Sequence, residues 1–275
     1  MTYCLGITVK EGLIAIADTR ITAGNEMYSN KKISIHEINK HSLFIMTAGL
    51  RSVRDKAVTY FNQKIEEEES SYDYMFQAAT AFGQMLKKVA QEDREALEKE
   101  GYNFNLHAIV GGQMPKDSEH KLFLIFPEGN WIEINDGLKY QIIGNSNYGK
   151  PLLNRNLSFE TPLKDALKMG FLSFDATQVS TNDVDYPIDV VVYEKNSFKA
   201  KEIRLHKEDM QKISDEWNLA LRNSLETIDE HWMKSLLTLP SRWSLKYIIA
   251  FNINTANPSP WIRMSCIYIP EKAHY

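Results

Sequence analysis

Cysteine is almost absent: Cys4 and Cys266 are the only two in 275 residues, one near each end. Two thiols so placed exclude a disulfide framework and a cysteine zinc site, and they fit a reducing cytoplasm. The seven histidines fall at no metal-ligating spacing, and no HExxH occurs, so neither metal nor other cofactor is expected. Charge of one sign is missing too. The net charge is −4 with both signs interspersed, which points to no nucleic acid and no anionic membrane surface as partner. The acidic run Glu66 to Glu69 is local and reads as a solvated helix end. The longest uncharged apolar stretch, around Tyr247 to Ile253, is far too short to span a bilayer. Strand-like alternation from residue 2 leaves no room for a signal peptide. Repeats and low-complexity linkers are lacking as well. These absences lead to the expectation of a soluble cytoplasmic protein, and 275 residues can bury a sizeable core without disulfides or metals.

What is there is a change of period. Thr2 to Val9 alternates, with Tyr3, Leu5, Ile7 and Val9 on one face; Lys10-Glu11-Gly12 makes a turn, and Leu13 to Ala17 returns as a second strand. Short strands are expected at Ile33 to Ile35 and Leu43 to Thr47. Leu50, Val53, Ala57, Phe61 and Ile65 then recur at helical spacing, as do Met75, Ala78, Phe82, Met85 and Val89 in a longer helix ending before Gly101. Strands resume at Leu106 to Val110, Leu122 to Phe126, Trp131 to Ile134 and Tyr140 to Ile143. Helices follow near Lys150 to Arg155 and from Pro162 to about Phe174, with proline suiting a first turn. Ile188 to Tyr193 and Lys201 to Leu205 are strands, and Lys207 to about Leu225 is a last helix. Mostly antiparallel strands that must bury both faces predict two packed sheets with helices outside.

The chemistry-bearing residues are few. Asp18 ends a strand otherwise apolar from Leu13 to Ala17 and shares parity with Ile14 and Ile16, so it starts from a buried or half-buried face. A buried carboxylate is costly unless a cation or several donors satisfy it. Lys32 could supply the cation; a turn aspartate and a surface lysine are the plainer alternative. Gly144 to Lys150 reads GNSNYGK after a strand, close to a phosphate-binding loop. Pro151 takes the place of the metal-binding hydroxyl and has no N–H for phosphate, so nucleotide binding is not expected.

The opening MTYCLGITVKEGLIAIADTRITAG resembles the start of a proteasome-type β-subunit, and it is most similar to the bacterial Anbu branch, the ancestral β-subunits. The segments SNKKISI, FIMTAG, IIGNSNYGKPLL, SFDATQVSTN and PIDVVVYEK follow in the same order. The likeness covers roughly residues 1–227, expected as one proteasome β-type domain. Residues 228–275 form an extension outside it, which holds Trp232, Trp243 and Trp261 with Pro240, Pro258 and Pro260.

The resemblance implies an α+β fold, the four-layer αββα sandwich of N-terminal-nucleophile (Ntn) hydrolases. It implies that Thr2 is the nucleophile once Met1 is removed, its free α-amine acting as base on its own hydroxyl. Asp18 and Lys32 match the acid–lysine pair, and Gly49 matches the glycine whose N–H forms the oxyanion hole. Ser146 matches the serine loop, with Asn145 the neighbour one position away. Asp175, Thr181 and Asn182 fall where the family places polar support for the nucleophile, although the acidic loop from Asp183 to Pro187 departs from that pattern. The implied activity is hydrolysis of peptide or amide bonds within a self-assembled ring or spiral, with any ATP requirement residing in a separate partner. A non-catalytic ring scaffold and a small-amide amidase share the same pattern and stay open.

Overall fold

Strands β1 (Tyr3–Val9) and β2 (Gly12–Asp18) form the expected opening hairpin, but every residue of both is buried. The reason is their position: they lie in the middle of a sheet covered on both sides. A hairpin that the sequence reading left out follows, β3 (Arg20–Ala23) with β4 (Glu26–Ser29). Next come β5 (Ile33–Ile38) and β6 (His41–Ala48), then helices α1 (Arg51–Glu67) and α2 (Met75–Lys99). Strands β7 (His107–Gly112), β8 (Lys121–Ile125), β9 (Trp131–Ile134) and β10 (Tyr140–Gly144) lead to α3 (Lys150–Asn156) and α4 (Leu163–Gln178). Strands β11 (Ile188–Glu194) and β12 (Ala200–Leu205) precede α5 (Lys207–Thr227). Pro151 sits in the first turn of α3, whereas Pro162 caps α4 from just outside it.

This computed structural model describes residues 2–23, 26–38, 40–67 and 72–237. Met1, Glu68, Glu69, the Tyr247 to Ile253 stretch, Cys266 and the tryptophans and prolines expected beyond residue 237 lie outside the described residues. The chain divides into two units, Met1–Leu219 and Ala220–Tyr275. In the second, the described residues hold the end of α5, a 3-10 turn at His231–Met233 and the short α6 (Lys234–Leu237).

In the first unit two five-stranded antiparallel sheets are ordered β10-β1-β2-β11-β12 and β5-β6-β7-β8-β9. Three apolar layers hold them. Tyr3, Leu5, Ile7, Ile14 and Ile16 of the first sheet pack with Ala166, Phe171 and Phe174 of α4. Cys4, Ala15 and Ala17 turn the other way, against Phe44, Met46, Ile109 and Leu122 of the second sheet. The far side of that sheet packs on Val53, Ala57, Phe61, Phe82 and Leu86 of α1 and α2. The result is an αββα sandwich. Burying one such Ile, Leu or Phe stabilises by about 1.5–3 kcal/mol, more than the ~1 kcal/mol span of strand propensities, so contact between layers holds these strands. Outside them, β12 is an edge whose exposed Lys201, Glu202 and Arg204 discourage further pairing. Among the described residues no helix is long and apolar enough to cross a membrane.

Candidate active site

One residue beyond the last β1–β2 pair, Cys4 with Ala17, the Tyr3 N–H donates to Asp18 Oδ1 at 2.8 Å. Past Asp18 the chain turns through the β3–β4 hairpin. Asn30 N–H donates to Thr19 O at 2.8 Å, which brings the chain back beside the end of β2. Lys32 then reaches Asp18 Oδ1 at 2.7 Å and Arg20 O at 2.8 Å. Asp18 is fully buried and Lys32 is 7% exposed. Burial pushes the Asp18 carboxyl above its ordinary range, against the downward pull of the Lys32 ammonium and the Tyr3 N–H. Its second oxygen, Oδ2, is buried and has no hydrogen-bond partner among the described residues. Lys31, by contrast, is exposed and pairs with Glu202 at 2.6 Å.

Thr2 is half-buried and fixed by its main chain. Asn145 N–H donates to Thr2 O at 2.7 Å, and β10 pairs Gly144 with Tyr3. Gly144 has φ +88°, and a Cβ there would overlap the Thr2 carbonyl, so only glycine lets β10 approach so closely. Gly49, between β6 and α1, has φ +144°, and a Cβ would stand 2.5 Å from Asn105 O. Thr2, Lys32, Thr47 and Gly49 line one cavity of about 530 Å³, within the range of small-ligand sites. Asp18 stands behind that wall.

The structure thus brings Thr2, Asp18, Lys32 and Gly49 together. Ser146 is half-buried beside Asn145 and does not line the cavity. Neither do Asp175, Thr181 and Asn182. Asp175 is buried under Ser214, whose hydroxyl donates to it at 2.6 Å; Thr181 is half-buried and Asn182 exposed. The sequence reading did not single out Arg20, Asn105, His107, Arg51 or Arg54, all of which reach the wall. The one signal for the last two was a pair of arginines three apart, directly after Gly49 and Leu50. Burial holds the Cys4 thiol well above its usual pKa, so it is no rival nucleophile. Among the described residues there is no group of three or more His, Cys, Asp or Glu that could hold a metal ion.

Two buried sheets between helices, with a threonine at the head of a central strand facing a buried lysine–carboxylate pair, define an N-terminal-nucleophile type of fold. The proteasome subunit family matches residues 2–192, and the chain belongs to that family. Within it the likeness is to Anbu proteins. The Gly-1 mutant of Anbu from Hyphomicrobium sp. strain MC1 is 31% identical, with a TM-score of 0.76 over 84% of this chain and 99% of that one. Anbu, the ancestral beta-subunit, from Yersinia bercovieri is 27% identical, with a TM-score of 0.76 over 82% of this chain and 97% of that one. The helical assembly of the Anbu complex from Pseudomonas aeruginosa gives 26% and 0.77, over 88% of this chain and 99% of that one. Proteasome subunit beta 2 of Pyrobaculum islandicum is 24% identical over 200 residues, 72% of this chain and 94% of that protein. The sequence-based likeness to the Anbu branch is borne out, as is the four-layer sandwich.

Proposed function

We propose that this chain is a threonine-nucleophile hydrolase of peptide or amide bonds. The carrying observation is that Thr2, Lys32 and Gly49 line one cavity while buried Asp18 holds the Lys32 ammonium. In the proposed reaction the Thr2 α-amine, with a reference pKa of about 7.7–8.0, takes the proton of its own hydroxyl. The hydroxyl oxygen attacks the substrate carbonyl, and the oxyanion is held by the Gly49 N–H. The amine proton passes to the leaving nitrogen, leaving an ester on Thr2; water, deprotonated by the same amine, releases the acid. Lys32 keeps a positive charge beside the Thr2 oxygen, and Asp18 positions it. Ser146, Asp175, Thr181 and Asn182 would act by supporting the loops around Thr2. The amine is basic only when no peptide bond precedes it, so the reading requires a mature chain beginning at Thr2.

The same reading places the chain in the cytoplasm, in a self-assembled ring or spiral. A separate ATP-dependent partner would deliver substrate. Intact-mass measurement on protein from its normal host is expected to show Thr2 as the first residue. Thr2→Ala is expected to abolish covalent labelling by threonine-directed electrophiles and all cleavage in peptide and small-amide libraries. Undiminished labelling of Thr2→Ala would overturn the assignment.

A further inference from the structure

Every charged side chain in the wall of the cavity is a cation. The carboxylates that pair with them all stand outside the wall: Asp185 with Arg20, Glu202 with Lys31, and Asp18 with Lys32. Arg51 and Arg54 have to share the fourth, Asp55, at 3.2 and 2.8 Å. Among the described residues Arg51 and Arg54 are thus the two cations of this wall that divide one carboxylate between them. Arg54 also donates through Nη2 to Lys31 O at 2.8 Å, while its Nε is buried and has no hydrogen-bond partner among the described residues.

The local fold sharpens this. Arg51 opens α1, whose first turn carries no acidic residue. Cations at a helix N-terminus oppose the helix dipole, where an anion would be favoured. Asp55 and Tyr28 hold the Arg51 charge there, and an anion entering the cavity would add to them. Arg51 also stands only two residues after Gly49, so the oxyanion-hole glycine and the arginine pair belong to one short segment. In the proposed reaction a substrate carbonyl held at Gly49 would bring the rest of its residue into the cavity that Arg51 and Arg54 also line.

We infer that this cavity selects substrates whose residue on the acyl side of the cleaved bond bears a carboxylate, glutamate or aspartate, read by Arg51 and Arg54. The planar guanidinium fork matches a carboxylate, and a wall of one sign raises the local concentration of anions. The inference rests on the hydrolase reading above and names its substrate class.

Two measurements separate the inference from that reading. The first is equilibrium binding of the capped peptides acetyl-Ala-Ala-Glu-amide, its Gln counterpart and its Lys counterpart to full-length Thr2→Ala protein, which needs no catalysis. Glutamate should bind about tenfold more tightly than glutamine, as a charge-assisted hydrogen bond provides, with lysine weakest. The gap should narrow with added salt. It should close in Arg51→Gln, and in Arg51→Gln combined with Arg54→Gln if that double variant folds. Equal binding, a preference for lysine, or a gap that persists without the arginine charge overturns the inference. The second is the rate of adduct formation on Thr2 of the processed protein by peptide epoxyketones ending in Glu, Gln or Lys. Adducts at equal rates for all three overturn the subsite and leave the hydrolase standing. Glutamate-selective binding with no adduct from any probe supports the subsite and overturns the hydrolase.

Discussion

Lys31 and Lys32 are adjacent in the chain and differ in everything around them. Lys31 is an exposed partner of Glu202, a pair worth about 0–1 kcal/mol. Lys32 is buried against Asp18, and removing one member of such a pair costs on the order of 3–5 kcal/mol. Lys32→Ala is therefore expected to lower turnover by about 10²-fold or more, while Lys31→Ala changes it only a few-fold; labelling kinetics decide between them. Lys32→Ala should also reverse part of its stability loss in acid. Burial already pushes the Asp18 carboxyl up, and removing Lys32 takes away the strongest charge that restrains it. The folded variant then holds a proton that the unfolded chain loses above its ordinary pKa, so stability falls as pH rises above 3.8. Urea titrations at pH 5 and pH 8 should show a smaller drop in midpoint from the unaltered protein to the variant at pH 5 than at pH 8. At this level much was legible before the structure: strand parity suggested Asp18, and the resemblance supplied Thr2, Lys32 and Gly49. Arg51 and Arg54 were not, because no linear spacing says that the first turn of α1 and the start of β1 border the same space.

Strands and helices with a clear apolar period could be read from the sequence, and they are where the alternation placed them. The β3–β4 hairpin could not. Arg20-Ile21-Thr22-Ala23 and Glu26-Met27-Tyr28-Ser29 carry no apolar alternation, because this hairpin belongs to neither packed sheet. Its role is positional: it returns Lys32 to the end of β2. Strand β7 also runs through Gly111 and Gly112, beyond the expected end at Val110, since pairing with β6 and β8 outweighs the weak strand preference of glycine. The junction of β6 and α1 gives a direct test. At Gly49 the φ of +144° and the Asn105 carbonyl both exclude a Cβ. Gly49→Ala is expected to cost about 1–3 kcal/mol of stability, measured by thermal melting. By displacing the N–H it should also lower turnover by roughly 10²–10³-fold. Full activity in Gly49→Ala would remove this glycine from the oxyanion site.

The sandwich as a body should be acid-sensitive through a group far from catalysis. His36 lies between Ser34 and Asn62, its Nδ1 2.8 Å from the side-chain Oδ1 of Asn62, and burial lowers its pKa from 6.5 to about 4. The unfolded chain binds this proton first. Stability should therefore be complete above pH 6.5 and fall as pH drops towards 4, by on the order of 3 kcal/mol. His36→Asn should flatten that slope in pH-dependent melting. Burial shifts His120 in the same direction and adds to it. Helix α5 leaves Ile213, Leu219, Leu221 and Leu225 exposed, and exposed apolar patches mark interaction surfaces. Light scattering is expected to show an oligomer at micromolar concentration, and a stable monomer would count against the ring or spiral. The setting of β1 between β10 and β2, with the Thr2 carbonyl clasped by Asn145, bears on how the protein is handled at the bench. The strand is paired on both sides, so a purification tag fused ahead of Thr2 would start from the cavity wall and, on the proposed function, would turn the amine that acts as base into an amide. Such a fusion should fold, assemble and stay inert. Cutting it off immediately before Thr2 should switch the same molecules on, whereas leaving even one foreign residue should not.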